Sequence, residues 1–149
     1  MNLHRSPRRS RGFTLIETLV AVGVAGILSS IAYPSLEGQM LRARRSDALV
    51  ALLSAQMAQE RHRANNAVYG SLADIGVAGT STAGRYALRI ASSTDSGYRI
   101  VASANGAQAR DAECRHLGLA IEGGNLVLSS GADPSLANAA AVNRRCWSR

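Results

Sequence analysis

Glu17 is the residue whose type and position ask most for a chemical explanation. It is the fifth residue of an apolar run that opens at Phe13, directly after Gly12. A carboxylate at a helix centre costs about 2.5–3.5 kcal/mol on membrane-insertion scales, and less near an end. It therefore needs a cationic partner or a structural use. An acid in the first helical turn also complements the helix dipole, worth about 0.3–1 kcal/mol, but that use needs no apolar setting. Cys114 and Cys146 are the two cysteines of the chain. An even count in a small exported domain points to one disulfide, whereas in the cytosol it points to free thiols. Asp111, Glu113, Cys114 and His116 could be drawn as a metal site, with a disulfide and surface charges as the plainer reading. The serines have no His and Asp at recognisable spacing, and no phosphate-binding loop pattern exists. The sequence thus points to no enzyme, no metal and no cofactor. Arg144, Arg145 and Arg149 surround Trp147, a set able to contact phosphate and stack a base; the alternative is a solvated basic end.

The elements that must position these residues begin with charge. The formal charge of +7 comes from 17 basic residues, all arginine, against 10 acidic ones. Arg5, Arg8, Arg9 and Arg11 precede the apolar run with no acid among them, so much of the basicity belongs to an N-terminal tag. From Phe13 to Tyr33 the only ionisable side chain before the tyrosine is Glu17. A helix over that run rises about 31 Å, enough for a bilayer core of about 30 Å. Arginines ahead of it keep the N-terminus cytoplasmic and send the remainder outward, although Arg42, Arg44 and Arg45 blur the asymmetry. An outward location places both cysteines in an oxidising space. A secretory signal cut near Ser30-Ile31-Ala32 or a twin-arginine signal at Arg8-Arg9 would also export the chain. Neither explains a carboxylate in the run.

Beyond Pro34, expected to kink the helix rather than end it, Leu36 to His62 reads as its continuation. Leu36, Met40, Ala43, Val50, Leu53 and Met57 form the expected core stripe, with Arg42, Arg45, Gln56, Gln59 and Arg63 as polar positions. Alternation then predicts strands carrying Tyr86, Leu88 and Ile90, then Tyr98, Ile100 and Ala102, then Leu117, Leu119 and Ile121, then Leu126 and Leu128. Ser92 to Gly97 supplies the first turn, and Gly123-Gly124 a tight hairpin. Gly131 to Arg145 reads as a loop without regular structure. The expected fold is α+β, a long N-terminal helix packed on a four-stranded, mostly antiparallel sheet with a disulfide-closed C-terminal loop.

The basic leader, Gly12 and Phe13-Thr14-Leu15-Ile16-Glu17 opening an apolar helix resemble the type IV pilin and pseudopilin family without a mismatch. Asp111, Cys114, the hairpin and Cys146-Trp147 follow the order of the small minor pilins of the type IVa pilus. The resemblance implies the pilin fold and three parts: a leader, 1–12, removed by a prepilin peptidase; a transmembrane and filament-core helix, 13–34; and an exported globular domain, 35–149. It implies cleavage between Gly12 and Phe13, N-methylation of Phe13, and an inner-membrane precursor that joins other pilins at the cell surface. The freed α-amino group, with a reference pKa of about 7.7–8.0, is largely cationic. Glu17 is then expected to meet that ammonium on a neighbouring subunit and set the register. The implied function is a structural subunit that enters or primes a type IV pilus. A type II secretion pseudopilin is the alternative within the family, with the Cys pair and the Cys-Trp ending against it. A DNA-uptake receptor using Arg144, Arg145 and Trp147 is the alternative from another class.

Overall fold

Thr14-Leu15-Ile16-Glu17 follows the pattern by which a threonine and a glutamate three residues on close a helix N-terminus. In the computed structural model, which describes residues 12–148 and leaves aside the side chains of 31–35, helix α1 starts there and is assigned from Leu15 to Arg63. The leader arginines Arg5, Arg8, Arg9 and Arg11, and Arg149 of the tail, lie outside the described residues. The helix assignment continues through Pro34, as expected. Two units divide the chain, Met1–Glu37 and Gly38–Arg149.

In the first unit, large apolar side chains stand bare on all sides of α1. Phe13 is 83% exposed, Leu15 81%, Val22 71% and Ile27 66%. A helix apolar all round needs lipid or protein around it. Among the described residues no helix is long and apolar enough to cross a membrane. The expected crossing segment includes residues 31–33, whose side chains lie outside the described set.

In the second unit α1 packs with a sheet of β1 (Tyr86–Ser93), β2 (Tyr98–Ala104), β3 (His116–Glu122) and β4 (Asn125–Gly131), in the order β1-β2-β3-β4. All three pairings are antiparallel. Short 3₁₀ turns, Gly106–Arg110 and Ala112–Cys114, join β2 to β3. Glu122 pairs with Asn125 across Gly123-Gly124, which have φ of 56° and 80°. Positive φ at both positions is what the two-residue hairpin demands, so glycine is needed there.

The core differs from the sequence expectation on the helix side. Its α1 members are Ala48, Leu52 and Ala55, packed with Tyr86, Leu88, Tyr98, Ile100, Leu117 and Leu119. Leu41, Arg45 and Gln59 are also buried. The expected stripe faces solvent: Leu36, Met40, Val50, Leu53 and Met57 are each more than half exposed, and Ala43 is exposed too. The reason is steric. Alanine on the helix leaves room for two tyrosine rings on the sheet, so bulk is supplied by the strands. Leu126 and Leu128 lie on β4, as expected, but are 51% and 37% exposed; the strand members of the core come from β1, β2 and β3.

The C-terminal segment is more ordered than expected. Ala140–Trp147 forms helix α2. Cys114 and Cys146 are bonded, with Cα atoms 5.4 Å apart, and both are buried in the core. Asn138 Nδ2 donates to the Glu113 carbonyl at 2.7 Å and to Ser130 Oγ at 3.0 Å. Asn143 Nδ2 donates to the Leu128 carbonyl at 2.9 Å. These bonds fasten the segment along the edge of β4. The disulfide closes a sequence separation of 32 residues, and a loop of that size contributes about 3–4 kcal/mol in the chain-entropy model. Cys114→Ser is therefore expected to lower unfolding free energy by that amount in denaturant titration, and to expose α2 to proteolysis before the sheet.

Candidate assembly site and C-terminal surface

Glu17 is exposed on the first turn of α1 and does have a local partner. Thr14 N–H donates to Glu17 Oε2 at 3.3 Å, and the Glu17 N–H donates to Thr14 Oγ1 at 3.3 Å and to the Thr14 carbonyl at 3.1 Å. The pair is a capping box, which ties up two helix-end donors reciprocally. Sequence reasoning weighed the helix dipole but missed Thr14, although threonine three residues before glutamate was the available signal. Gly12, Phe13, Thr14 and Glu17 line one open concavity. The residues expected at the cleavage and register positions thus lie together, beside an apolar helix face. The capping bonds leave one carboxylate oxygen, Oε1, without an intrachain hydrogen bond among the described residues.

The second feature lies where α1, the 3₁₀ turns and α2 meet. Arg45 Nε donates to Asp111 Oδ2 at 2.7 Å and Nη2 to Oδ1 at 2.8 Å, while Nη1 donates to the Arg145 carbonyl at 2.9 Å. Arginine and carboxylate are each 8% exposed. Two parallel charge-assisted bonds between buried partners make this a strong polar contact. Gln108 Nε2 donates to the Leu41 carbonyl and to Tyr86 Oη, both at 3.0 Å. Burial pushes the Tyr86 hydroxyl up to about 12. Asp47 accepts from Ser81 Oγ at 2.6 Å and from the Ala83 N–H at 3.1 Å, anchoring the loop before β1. Desolvation raises its pKa, but these bonds outweigh it and hold the carboxyl below its ordinary range.

The Arg144, Arg145 and Trp147 set is not presented as one stacking surface. The Trp147 ring packs against the core and its Nε1 donates to the Ser129 carbonyl at 3.2 Å. Arg145 faces Glu113 at 3.4 Å, and Arg144 is exposed. Arg89 is exposed on β1, and sequence reasoning gave it no role. His116 bonds Ser103 through Nδ1 at 2.9 Å. Burial, helped by Arg115 and Arg89, lowers its pKa. Among the described residues no group of three or more His, Cys, Asp or Glu side chains is placed to hold a metal.

Comparison with known proteins agrees with this geometry. The prokaryotic N-terminal methylation motif matches residues 7–33. The chain is 33% identical over 113 residues to the type IV major pilin protein PilA of Myxococcus xanthus, covering 75% of this chain and 46% of that protein. It is 34% identical over 67 residues to the type II secretion system core protein G of Pectobacterium carotovorum, covering 45% of this chain and 43% of that protein. The chain therefore spans less than half the length of these relatives. The family described as "Type IV minor pilin ComP, DNA uptake sequence receptor" matches residues 34–118, from Pro34 through the first three strand positions of β3. With the methylation motif leading into α1 and the antiparallel sheet behind it, the chain belongs to this family of type IV minor pilins.

Proposed function

We propose that the protein is made as a precursor, cut between Gly12 and Phe13 by a prepilin peptidase that also methylates Phe13, and built into a type IV pilus. Before assembly, Phe13–Tyr33 crosses the inner membrane, with the leader on the cytoplasmic side and residues 35–149 outside. In the filament the same helix packs among those of other pilins, and Glu17 meets the Phe13 ammonium of a neighbour. The observation that carries this reading is the helix of the first unit: large apolar side chains stand bare on all its sides, and the Glu17 carboxylate on its first turn stands beside Phe13. Fractionation tests it. The mature chain is expected in both the inner membrane and sheared filaments, and disruption of its gene is expected to reduce surface pili while leaving type II secretion intact. Loss of secretion with normal pili would favour the pseudopilin reading instead.

A second activity, capture of DNA for uptake, is favoured by the description of the matched family. Arg89 and Arg144 are among the cations that fit phosphate contact. Both are exposed, and among the described residues neither forms a salt bridge, whereas Arg99 and Arg145 face Glu122 and Glu113. Arg145 and Trp147 then serve mainly to hold α2. Arg89→Gln and Arg144→Gln are each expected to reduce the slope of log K against log salt for duplex binding by about 1. Unchanged slopes would remove these two residues from the DNA contact.

A further inference from the structure

Arg42, Arg44 and Arg45 lie on the wrong side of the apolar run for a simple charge rule, and the structure sorts them. Arg45 is consumed by Asp111. Among the described residues, Arg42 and Arg44 form no salt bridge. At about 100° per residue, they flank the buried line of Leu41, Arg45 and Ala48, one on each side. On the Arg44 side, the loop held by Asp47 brings in the charge of Arg85, which is exposed. On the Arg42 side, a groove of about 480 Å³ is lined by Arg42, Ser46, Leu49, Cys146 and Ser148. Of the carboxylates at this end, Asp111 and Glu113 are paired with Arg45 and Arg145, while Asp47, bonded to Ser81, keeps its charge and is opposed by that of Arg85; arginines still outnumber carboxylates here. The end of the unit carrying Tyr98 is more evenly balanced: Glu60, Asp95 and Glu122 stand with Arg61, Arg63 and Arg99.

The collar follows the apolar run closely in the sequence: Arg42 is nine residues past Tyr33. We propose that Arg42, Arg44 and Arg85 form a phospholipid-binding collar, which docks the globular unit on the phosphates of anionic headgroups while the subunit waits in the membrane. The inference rests on the membrane-precursor reading above. The proximity of the collar to the membrane-spanning run along the chain favours lipid over nucleic acid as its partner. Basic residues next to an anionic membrane surface strengthen attachment by about fivefold each, with an effect that fades beyond a Debye length.

The test uses the mature full-length chain reconstituted in vesicles of phosphatidylcholine alone or with one third phosphatidylglycerol, each carrying a dansyl headgroup. Trp147 is the single tryptophan and serves as donor. Energy transfer is expected to be higher in the anionic vesicles and to fall as salt is added. The R42Q/R44Q/R85Q variant should shift the docked-to-undocked ratio by about a hundredfold, bringing transfer to the neutral-vesicle level, while it still floats with the vesicles and keeps its thermal transition. Arg61→Gln, at the opposite end of α1, should leave transfer unchanged. Flotation with equal transfer in both lipids would overturn the collar alone. Failure to float with neutral vesicles would overturn the membrane reading and the collar with it. Abolition of the transfer by stoichiometric duplex DNA would make the collar a nucleic-acid site and reject the lipid assignment.

Discussion

Arg45→Ala is expected to destabilise the globular unit by about 3–5 kcal/mol, because it leaves the buried Asp111 carboxylate without its cation. Total stabilities of domains are about 5–15 kcal/mol, so this is a large share. The guanidinium also donates to the Arg145 carbonyl, and its loss should loosen α2 as well as the 3₁₀ turns. Asp111→Ala should cost a similar amount by stranding Arg45. A double variant, Arg45→Met with Asp111→Leu, should be markedly more stable than the sum of the single effects, since replacing a buried pair by apolar groups can approach neutrality. Denaturant titration of the oxidised chain measures all of these. An Arg45→Ala effect within 1 kcal/mol, or strict additivity in the double variant, would show that the pair is not a buried structural contact.

The second large effect concerns Glu17. Glu17→Ala should still be inserted and cut, because removal of a charge eases insertion and the cleaved bond depends on Gly12. Filament incorporation should fail, since the ammonium of a neighbouring Phe13 would be left unpaired in apolar surroundings. Glu17→Asp, one methylene shorter, should be intermediate. Glu17→Gln separates the two roles of this side chain. Glutamine can close the capping box with Thr14, so a purely local role predicts near-normal assembly for this variant. Pairing with an ammonium predicts failure close to that of Glu17→Ala. Thr14→Val removes the cap, at about 0.5–2 kcal/mol of helix stability, but keeps the charge, and should assemble better than either. Membrane fractions should contain every variant in cut form; sheared filaments should rank them wild type, Thr14→Val, Glu17→Asp, then Glu17→Gln and Glu17→Ala.

Features written in local pattern were legible from the sequence. The strands show alternation and are bounded by turn residues, and Gly123-Gly124 fixes a hairpin by backbone conformation. Two cysteines permit one intrachain disulfide. The helix face facing the sheet was not legible. Its residues include alanines, an arginine and a glutamine beside Leu41 and Leu52, while other large apolar side chains such as Val50 and Met57 face away, and a hydropathy count selects the latter. Arg45 and Asp111 are 66 positions apart, so only the fold makes the arginine a core residue rather than a surface cation. Gln59 is similar: its amide exchanges two hydrogen bonds with the Gly70 backbone, at 2.7 and 3.0 Å, and so it tolerates burial. Helix α2 escaped because the segment from Gly131 opens on turn-forming residues, including Pro134 and Asn138, whereas the alanines that follow favour a helix held by Cys146 and Asn143. At the candidate assembly site, Phe13 and Glu17 were evident from the motif, but the part played by Thr14 required the local geometry.

The apolar helix is expected to be retained, with Phe13 at its head, as the assembly element of a pilus subunit. Intact-mass measurement with N-terminal fragmentation of the protein from the cell envelope tests it most directly. The expected product is a chain lacking residues 1–12, beginning at Phe13 with one methyl group on its α-amine, and two hydrogens lighter than the reduced form because Cys114 and Cys146 are joined. A chain beginning at Tyr33 would show that the apolar run is a discarded export signal, and would contradict the account.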